Sequence, residues 1–209
     1  MTLGEDSKIT ATHVVSTLPL PVLHDILPAS HQLPHLTANP STTVTVVNLV
    51  FPVHPDTIHP PGFGYLVPRR LDPDPGALPI IGTVFDSCSL SAQDDPPIYT
   101  KITVMIKGDY PLAPAPAPSA STSDIPDLIL DILSTLSTQL STSLPDPALW
   151  NVHVNRHCIP TYTVGHRTRM EELANRTKEV WKSRLELAGS GLGGVSLGDC
   201  VRAGRKVFA

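Results

Sequence analysis

Between residues 41 and 108 the chain repeatedly alternates apolar and polar positions with a period of two. The runs are STTVTVVNLVFP (41–52), FGYLVP (63–68), LPIIGTVFDS (78–87) and YTKITVMIKG (99–108), separated by Pro, Gly and Asp. They are rich in β-branched and aromatic residues, and four such runs in about 70 residues predict a curved antiparallel sheet. The last run is the clearest: Lys101, Thr103 and Met105 fall on one face, Ile102, Val104 and Ile106 on the other. Upstream, ITATHVVSTLP (Ile9 to Pro19) reads as a buried strand with no local partner. Its sheet must be completed by strands outside this sequence or by the tail. PVLHDILP (21–28) predicts a short helix and HQLPHLTANPS (31–41) a connector.

The period then changes. Ile125, Leu128, Ile129, Ile132, Leu133, Leu136 and Leu140 fit one helical face. Asp124 or Ser123 is suited to cap that helix, and Pro126 to its first turn. Its opposite face carries Ser and Thr rather than Lys or Arg, which favours packing on the sheet over lying on an anionic membrane. WNVHVNRHCIPTYTVGH (150–166) reads as a strand broken at Pro160. A strong helix follows, with Met170, Leu173, Ala174 and Trp181 as its apolar stripe. The tail, LELAGSGLGGVSLGDCVRAGRKVF, predicts a strand over 185–188, a glycine turn and a helix of about three turns.

That turn brings backbone N–H groups and a helix N-terminus together, a ready contact for an anion or cofactor. Gly189-x-Gly191-x-x-Gly194 formally matches the dinucleotide fingerprint. The context is wrong: the fingerprint needs a following βαβ unit and an acidic residue about 20 positions on. The turn is therefore expected to touch a cofactor without being its main nucleotide-binding element.

Charge and composition narrow the classes. Fifteen basic and nineteen acidic side chains give a net charge of −4 with no basic block, which disfavours a nucleic-acid partner. Cys88, Cys158 and Cys200 are far apart and odd in number, so they build no disulfide framework and suit a reducing compartment. Cys200, with Asp199 beside it, reads as a buried structural thiol. The sequence holds no apolar run of 18 residues and no charged-then-apolar leader, so neither a spanning helix nor a secretory signal is expected; peripheral membrane contact stays open. The 23 prolines cluster in PPGFG (60–64), DPDPGALP (72–79) and PLAPAPAP (111–118), as turns and a low-complexity spacer over 109–123.

Candidate chemistry is sparse. His153, His157, Cys158 and His166 are the best metal candidates, but His153 and His157 would lie about 13 Å apart along a strand, too far to share one ion. No GxSxG elbow is present, and Asp86 reads as a turn acceptor rather than a base. HPPGFGYLVPRR (59–70) is more informative: Phe63 and Tyr65 share a strand face, while Gly64 has no side chain and Leu66 lies on its face, which would let a flat ligand approach the backbone. An ordinary turn into a strand is the competing reading.

Several of these segments together resemble one family. VVNLVFP, HPPGFGYLVP, IIGTVFDS, KITVMIKG, CIPTYTVGH and AGSGLGGVSLGDCVRAGR stand in the order and approximate spacing of the C-terminal part of the protoporphyrinogen oxidase family of flavoenzymes, and THVVSTLP resembles that family's strand returning to the flavin domain. The resemblance implies a mixed α/β fold of the amine-oxidase-like superfamily: the C-terminal part of an FAD-binding Rossmann-like domain plus an antiparallel-sheet substrate domain. Residues 1–30 would return to the FAD domain, 41–157 would form the substrate sheet and its helix, and 158–209 would close the FAD domain. It implies FAD, held non-covalently, and oxidation of protoporphyrinogen IX to protoporphyrin IX in haem biosynthesis with molecular oxygen as acceptor. By the family's motifs, Phe63, Gly64, Leu66, Val84 and Met105 would line the tetrapyrrole pocket, and Gly194, Val195, Ser196 and Leu197 would contact the flavin. It further implies peripheral attachment to the mitochondrial inner membrane and a homodimer.

The departure from the pattern is the family's first βαβ unit, with its GxGxxG and acidic ribose ligand, which these residues do not contain. A chain that starts in the middle of a two-domain protein, inactive alone, is the resulting expectation. A non-catalytic tetrapyrrole-binding or interaction protein derived from the family is the alternative, and another flavin amine oxidase relative is a third.

Overall fold

The computed structural model describes residues 2, 3, 7–68, 77–90, 98–110 and 125–207. Most of the Pro/Ala-rich spacer, the DPDP turn at 72–75 and the expected caps Ser123 and Asp124 lie outside the described residues. The described chain divides into two units, residues 43–158 and residues 1–42 with 159–209.

The first of these units is built on a five-stranded sheet. Its strands are β4 (Ser41–Phe51), β5 (Gly64–Leu66), β6 (Ile80–Phe85), β7 (Thr100–Lys107) and β8 (Leu149–Pro160), in the order β5-β6-β7-β4-β8. The pairs β5/β6, β6/β7 and β4/β7 are antiparallel, as the alternating runs predict. Register places Val47 opposite Val104 and Leu49 opposite Ile102, so the apolar positions of neighbouring strands fall on one face. That face is covered by α3 (Asp127–Leu140), whose Ile129, Ile132, Leu133 and Leu136 are buried with Val47, Leu49, Phe51, Ile102, Val104 and Ile106 in one cluster.

Two threonines buried in this core, Thr45 and Thr100, are hydrogen-bonded to the backbone. The Thr45 hydroxyl donates to the Gly108 carbonyl at 2.8 Å and accepts from the Tyr110 N–H at 3.0 Å, and Thr100 donates to the Val53 carbonyl at 2.8 Å. Pro126 is the N-cap of α3 rather than part of its first turn, and no side chain caps the helix. Proline lacks the N–H that a first-turn residue leaves unpaired, so the position before the first turn suits it equally. At the other end Ser141 is left-handed, with φ 53°, and its N–H and that of Thr142 close the last turn onto Thr138 and Ser137.

In the second unit, an antiparallel pair of β1 (Thr2–Leu3) and β2 (Ser7–Lys8) precedes β3 (Val14–Ser16), which pairs in parallel with β9 (Leu185–Leu187). The tail thus supplies the partner that the early strand lacked. The strand is shorter than expected and is not buried: Val14 is 47% exposed, Val15 is exposed, and only Ser16 is covered. A parallel pair of two strands buries little by itself, since a parallel sheet needs cover on both faces. Helix α1 (Leu20–Ile26) and α4 (His166–Trp181) pack Leu20, Leu23, Leu33, Leu36, Leu173 and Leu185 into this unit's core. Ala174 is exposed, contrary to expectation; Thr177 and Val180 take its place beside Met170, Leu173 and Trp181. The helical phase explains this: positions 170, 173, 177, 180 and 181 keep to one stripe, while 174 sits at its margin. After a glycine turn, α5 (Leu197–Val207) follows β9 with the expected three turns.

Leu136 sits fully buried between α3 and the sheet. Leu136→Ala is expected to reduce the unfolding free energy by about 2–5 kcal/mol, read from the urea midpoint at unchanged slope.

Candidate functional site

The face of the sheet opposite α3 gathers most of the residues singled out for a tetrapyrrole. Register sets Gly64 opposite Val84 and Val84 opposite Thr103, and sets Leu66 opposite Gly82 and Gly82 opposite Met105. On β4, Asn48 lies opposite Thr103 and Val46 opposite Met105. Residues directly opposite one another point to the same side, so two rows cross this face: Leu66–Gly82–Met105–Val46, wholly apolar, and Gly64–Val84–Thr103–Asn48, which ends polar. Gly64, Leu66, Val84 and Met105 are thereby brought together. Val84, Met105 and Val46 are half-buried, and Leu66 is 77% exposed.

Phe63 does not join them in the expected way. Tyr65 turns inward onto the core, 5.9 Å from the Phe85 ring, and its hydroxyl donates to Gln139 Oε1 at 2.6 Å. Burial raises the Tyr65 phenol above its ordinary value. Phe63 instead stays 72% exposed, because Gly64, at φ +140°, breaks the alternation between them. The role of Gly64 is also corrected: a Cβ there would lie 2.1 Å from the Thr83 carbonyl oxygen. The space that glycine leaves is filled by strand β6, not open to a ligand.

The polar end of the second row was not legible as a site. Asn48 Nδ2 donates to Thr103 Oγ1 at 2.8 Å, and Thr103 Oγ1 donates to Asp86 Oδ2 at 2.6 Å. Asp86 opens the short helix α2 (Asp86–Ser89), so the carboxylate at this strand end is an acceptor, as expected, though for a side chain of the next strand rather than for a turn. Gly82 was missed as well; its signal was an isolated glycine within an otherwise β-branched run.

The tail turn is held by the segment that precedes α4. The Gly194 N–H donates to Tyr162 Oη at 2.9 Å, and Tyr162 Oη donates to the Ser190 carbonyl. Tyr162 stacks on His166 with centroids 3.8 Å apart, and His166 Nε2 bonds the Leu192 carbonyl at 2.9 Å. A carbonyl accepts, so Nε2 carries the proton and Nδ1 accepts from Asn39 Nδ2 at 3.0 Å. Burial raises the Tyr162 phenol, opposed by the Gly194 N–H. Both residues lie in CIPTYTVGH, yet nothing local in that segment marks Tyr162 and His166 as partners of a turn some 30 positions away.

Beyond the turn the expectation of an anion site fails. Ser196 and Asp199 form a capping box: Asp199 N–H donates to Ser196 Oγ at 3.1 Å, and Ser196 Oγ donates to Asp199 Oδ2 at 2.7 Å. Gly194, at φ +157°, is required because a Cβ would sit 2.3 Å from that carboxylate. The N-terminus of α5 thus already carries its own negative charge, which repels an incoming phosphate. What the turn offers instead is apolar: Val195 is 48% and Leu197 82% exposed.

Other candidates carry less. Cys200 is half-buried rather than buried, being on an exposed terminal helix with no buried residue, and Cys88 and Cys158 are exposed thiols. Among the described residues no three His, Cys, Asp or Glu side chains are placed to hold a metal, and no helix is long and apolar enough to cross a membrane. A cavity of about 520 Å³ between α4 and β9, lined by Met170, Leu173, Thr177, Leu185 and Leu187, contains none of the residues expected to contact a tetrapyrrole or flavin.

The Asp199 carboxyl is held below its ordinary value of 3.8, first by the Ser196 hydroxyl and further by the Ser196 N–H and Arg202. A lowered value in the folded state gives stabilisation that is complete above the unfolded value and is lost as pH falls through the folded one. Asp199→Asn is therefore expected to lower the thermal midpoint at about pH 6–7, with the gap to the parent closing as pH falls below the ordinary carboxylate value of 3.8; a gap independent of pH would remove the ionised cap from the account.

The profile of the family described as flavin containing amine oxidoreductase matches residues 1–207. Human protoporphyrinogen oxidase is 34% identical over 207 residues, covering 96% of this chain and 40% of the human protein. The enzyme of the same name from Schizosaccharomyces pombe is 32% identical over 169 residues, covering 79% of this chain and 31% of that protein. The chain therefore spans about two fifths, or less, of the length of these relatives. Among solved structures, a protein of Exiguobacterium sp. 255-15 superposes with a TM-score of 0.67 at 22% identity, covering 94% of this chain and 40% of that one. Reduced UDP-galactopyranose mutase superposes with a TM-score of 0.60 at 12% identity, covering 88% and 37%. These two likenesses concern the fold, which agrees with the mixed α/β expectation, whereas the profile covers almost every residue: the chain belongs to the flavin-containing amine oxidoreductase family.

Proposed function

We propose that the chain supplies the tetrapyrrole-facing sheet and the flavin-contacting turn of an FAD-dependent protoporphyrinogen oxidase. One observation carries this reading: Gly64, Leu66, Val84 and Met105, drawn from three separate segments, fall on one sheet face as adjacent cross-strand rows. An apolar row of Leu66, Gly82, Met105 and Val46, in which the Leu66 side chain lies over Gly82, suits the face of a large flat or gently puckered ring. Similarity to protoporphyrinogen oxidases over nearly the whole chain supports the same substrate class.

The tail turn fits one part of FAD and not another. Val195 and Leu197 present exposed apolar side chains to the flat flavin ring, and Tyr162 and His166 hold the turn in shape. The Asp199 carboxylate excludes the pyrophosphate from the α5 N-terminus, so the phosphates belong to a βαβ element that these 209 residues do not contain. When bound, the flavin supplies the two-electron acceptor, reoxidised by molecular oxygen, and the chain's own contribution is positioning and exclusion of water. Residues 1–30 and 158–209 belong in this reading to the flavin domain and 41–157 to the substrate domain. Peripheral membrane attachment at the mitochondrial inner membrane, a homodimer and a place in haem biosynthesis complete the proposal.

The 209 residues alone are expected to purify without a flavin chromophore near about 450 nm and to bind protoporphyrin IX, seen as a shift in its fluorescence. Leu66→Asp is expected to weaken that binding about tenfold, through lost apolar contact and an unpaired charge. A flavin retained through gel filtration would overturn the division of the FAD site. Failure of the parent chain to bind any tetrapyrrole would overturn the role of the sheet. Tetrapyrrole binding without flavin or peroxide production, in a full-length relative as well, would favour a non-catalytic binding protein.

A further inference from the structure

The polar end of the second row has a use that the apolar face alone does not explain. Asn48 holds Thr103, and Thr103 holds Asp86, at 2.8 and 2.6 Å. Both bonds run toward the carboxylate: Asn48 donates to Thr103, and the Thr103 proton is committed to Asp86 Oδ2. The row therefore presents an acceptor rather than a donor, fixed in place, with Oδ1 the oxygen that Thr103 leaves over. Asp86 follows Val84 by two positions, and its partner Thr103 stands on the same side of the sheet as Leu66 and Met105, in the row next to the apolar one.

A fixed anion at the edge of an apolar platform selects a ligand that combines an apolar ring with N–H donors. Porphyrins and porphyrinogens differ in this respect. In a porphyrinogen the bridging carbons are saturated, the macrocycle puckers, and its four pyrrole N–H groups can turn to one side and converge on a single acceptor. In a porphyrin the ring is flat and conjugated, and its two inner N–H groups are confined to the ring plane. Resting on the tetrapyrrole reading above, we infer that Asp86, oriented by Thr103 and Asn48, is the specificity-determining acceptor that makes this face bind the reduced porphyrinogen in preference to the oxidised porphyrin. Thr103 and Asn48 are positioning residues for Asp86. The preference keeps substrate on the face and lets the flattened product leave.

The test is anaerobic equilibrium dialysis of the 209-residue chain against protoporphyrinogen IX and, separately, protoporphyrin IX, with bound ligand quantified by fluorescence after oxidation. A charge-assisted hydrogen bond predicts a preference of about tenfold or more for the porphyrinogen. Asp86→Leu is expected to abolish the preference while leaving the affinity for protoporphyrin IX within about twofold, because the apolar row is untouched. Thr103→Val, which frees the carboxylate from its strut, is expected to give an intermediate ratio. The ratio of two ligands on one protein is insensitive to a general loss of folded material, so a merely structural role for Asp86 would not move it. Equal affinities in the parent chain, or a preference that survives Asp86→Leu, overturn the assignment while leaving the tetrapyrrole reading intact. Absence of binding by either ligand to the parent overturns both.

Discussion

Because side chains alternate strictly along a strand, the burial of Ile102, Val104 and Ile106 against α3 commits Lys101, Thr103 and Met105 to the opposite side of the sheet. Everything attributed to the candidate ligand face follows from that division. Register with β4 and β6 extends it across the neighbouring strands, so that Val84 and Gly82 on one side and Asn48 and Val46 on the other take their places in rows. A slip of one residue between β6 and β7 would exchange the two faces and turn Thr83 and Phe85 outward. The register shift between Ile80 and Gly82 lies next to the apolar row and marks the place where β6 changes its pairing with β7.

Glycine serves both candidate regions in a way that separates packing from recognition. At Gly64 the neighbouring strand occupies the place of a side chain, and at Gly194 the Asp199 carboxylate does so. Each is explained by the chain's contact with itself. Exposed ligand-facing surface comes from the residues that flank them, Leu66 in one case and Val195 and Leu197 in the other. The capping box at α5 likewise does two things at once: it satisfies the Asp199 N–H in the first turn of the helix, and it gives the turn a negative charge that suits a neutral ring better than a phosphate.

Much of the architecture was legible from local pattern, and the reasons differ by element. The four alternating runs and the helix over 125–140 declare themselves by a period of two or of 3.6, since each buries one face only. Over Ile9–Pro19 apolar composition does not translate into burial, because a two-stranded parallel sheet leaves Val14 and Val15 exposed. Ala174 was misplaced because a short apolar side chain at the edge of a helical stripe carries little phase information. The candidate site residues were recognisable through family motifs; Thr103, Asn48 and Asp86 were not, since a polar residue on the outer face of a strand looks the same whether it meets water or another side chain.

The sequence by itself determined which residues face inward in the alternating runs over 41–52 and 99–108 and in the helix over 125–140, the glycine turn and the family, because these depend on spacing along the chain. Only the tertiary structure decided which strands are neighbours, that the tail pairs in parallel with residues 14–16, that Tyr162 and His166 brace the turn, and that Asp86, Thr103 and Asn48 form one hydrogen-bonded row. Those are relations between residues up to 171 positions apart, set by sheet order and register, to which local hydrophobic periodicity is blind.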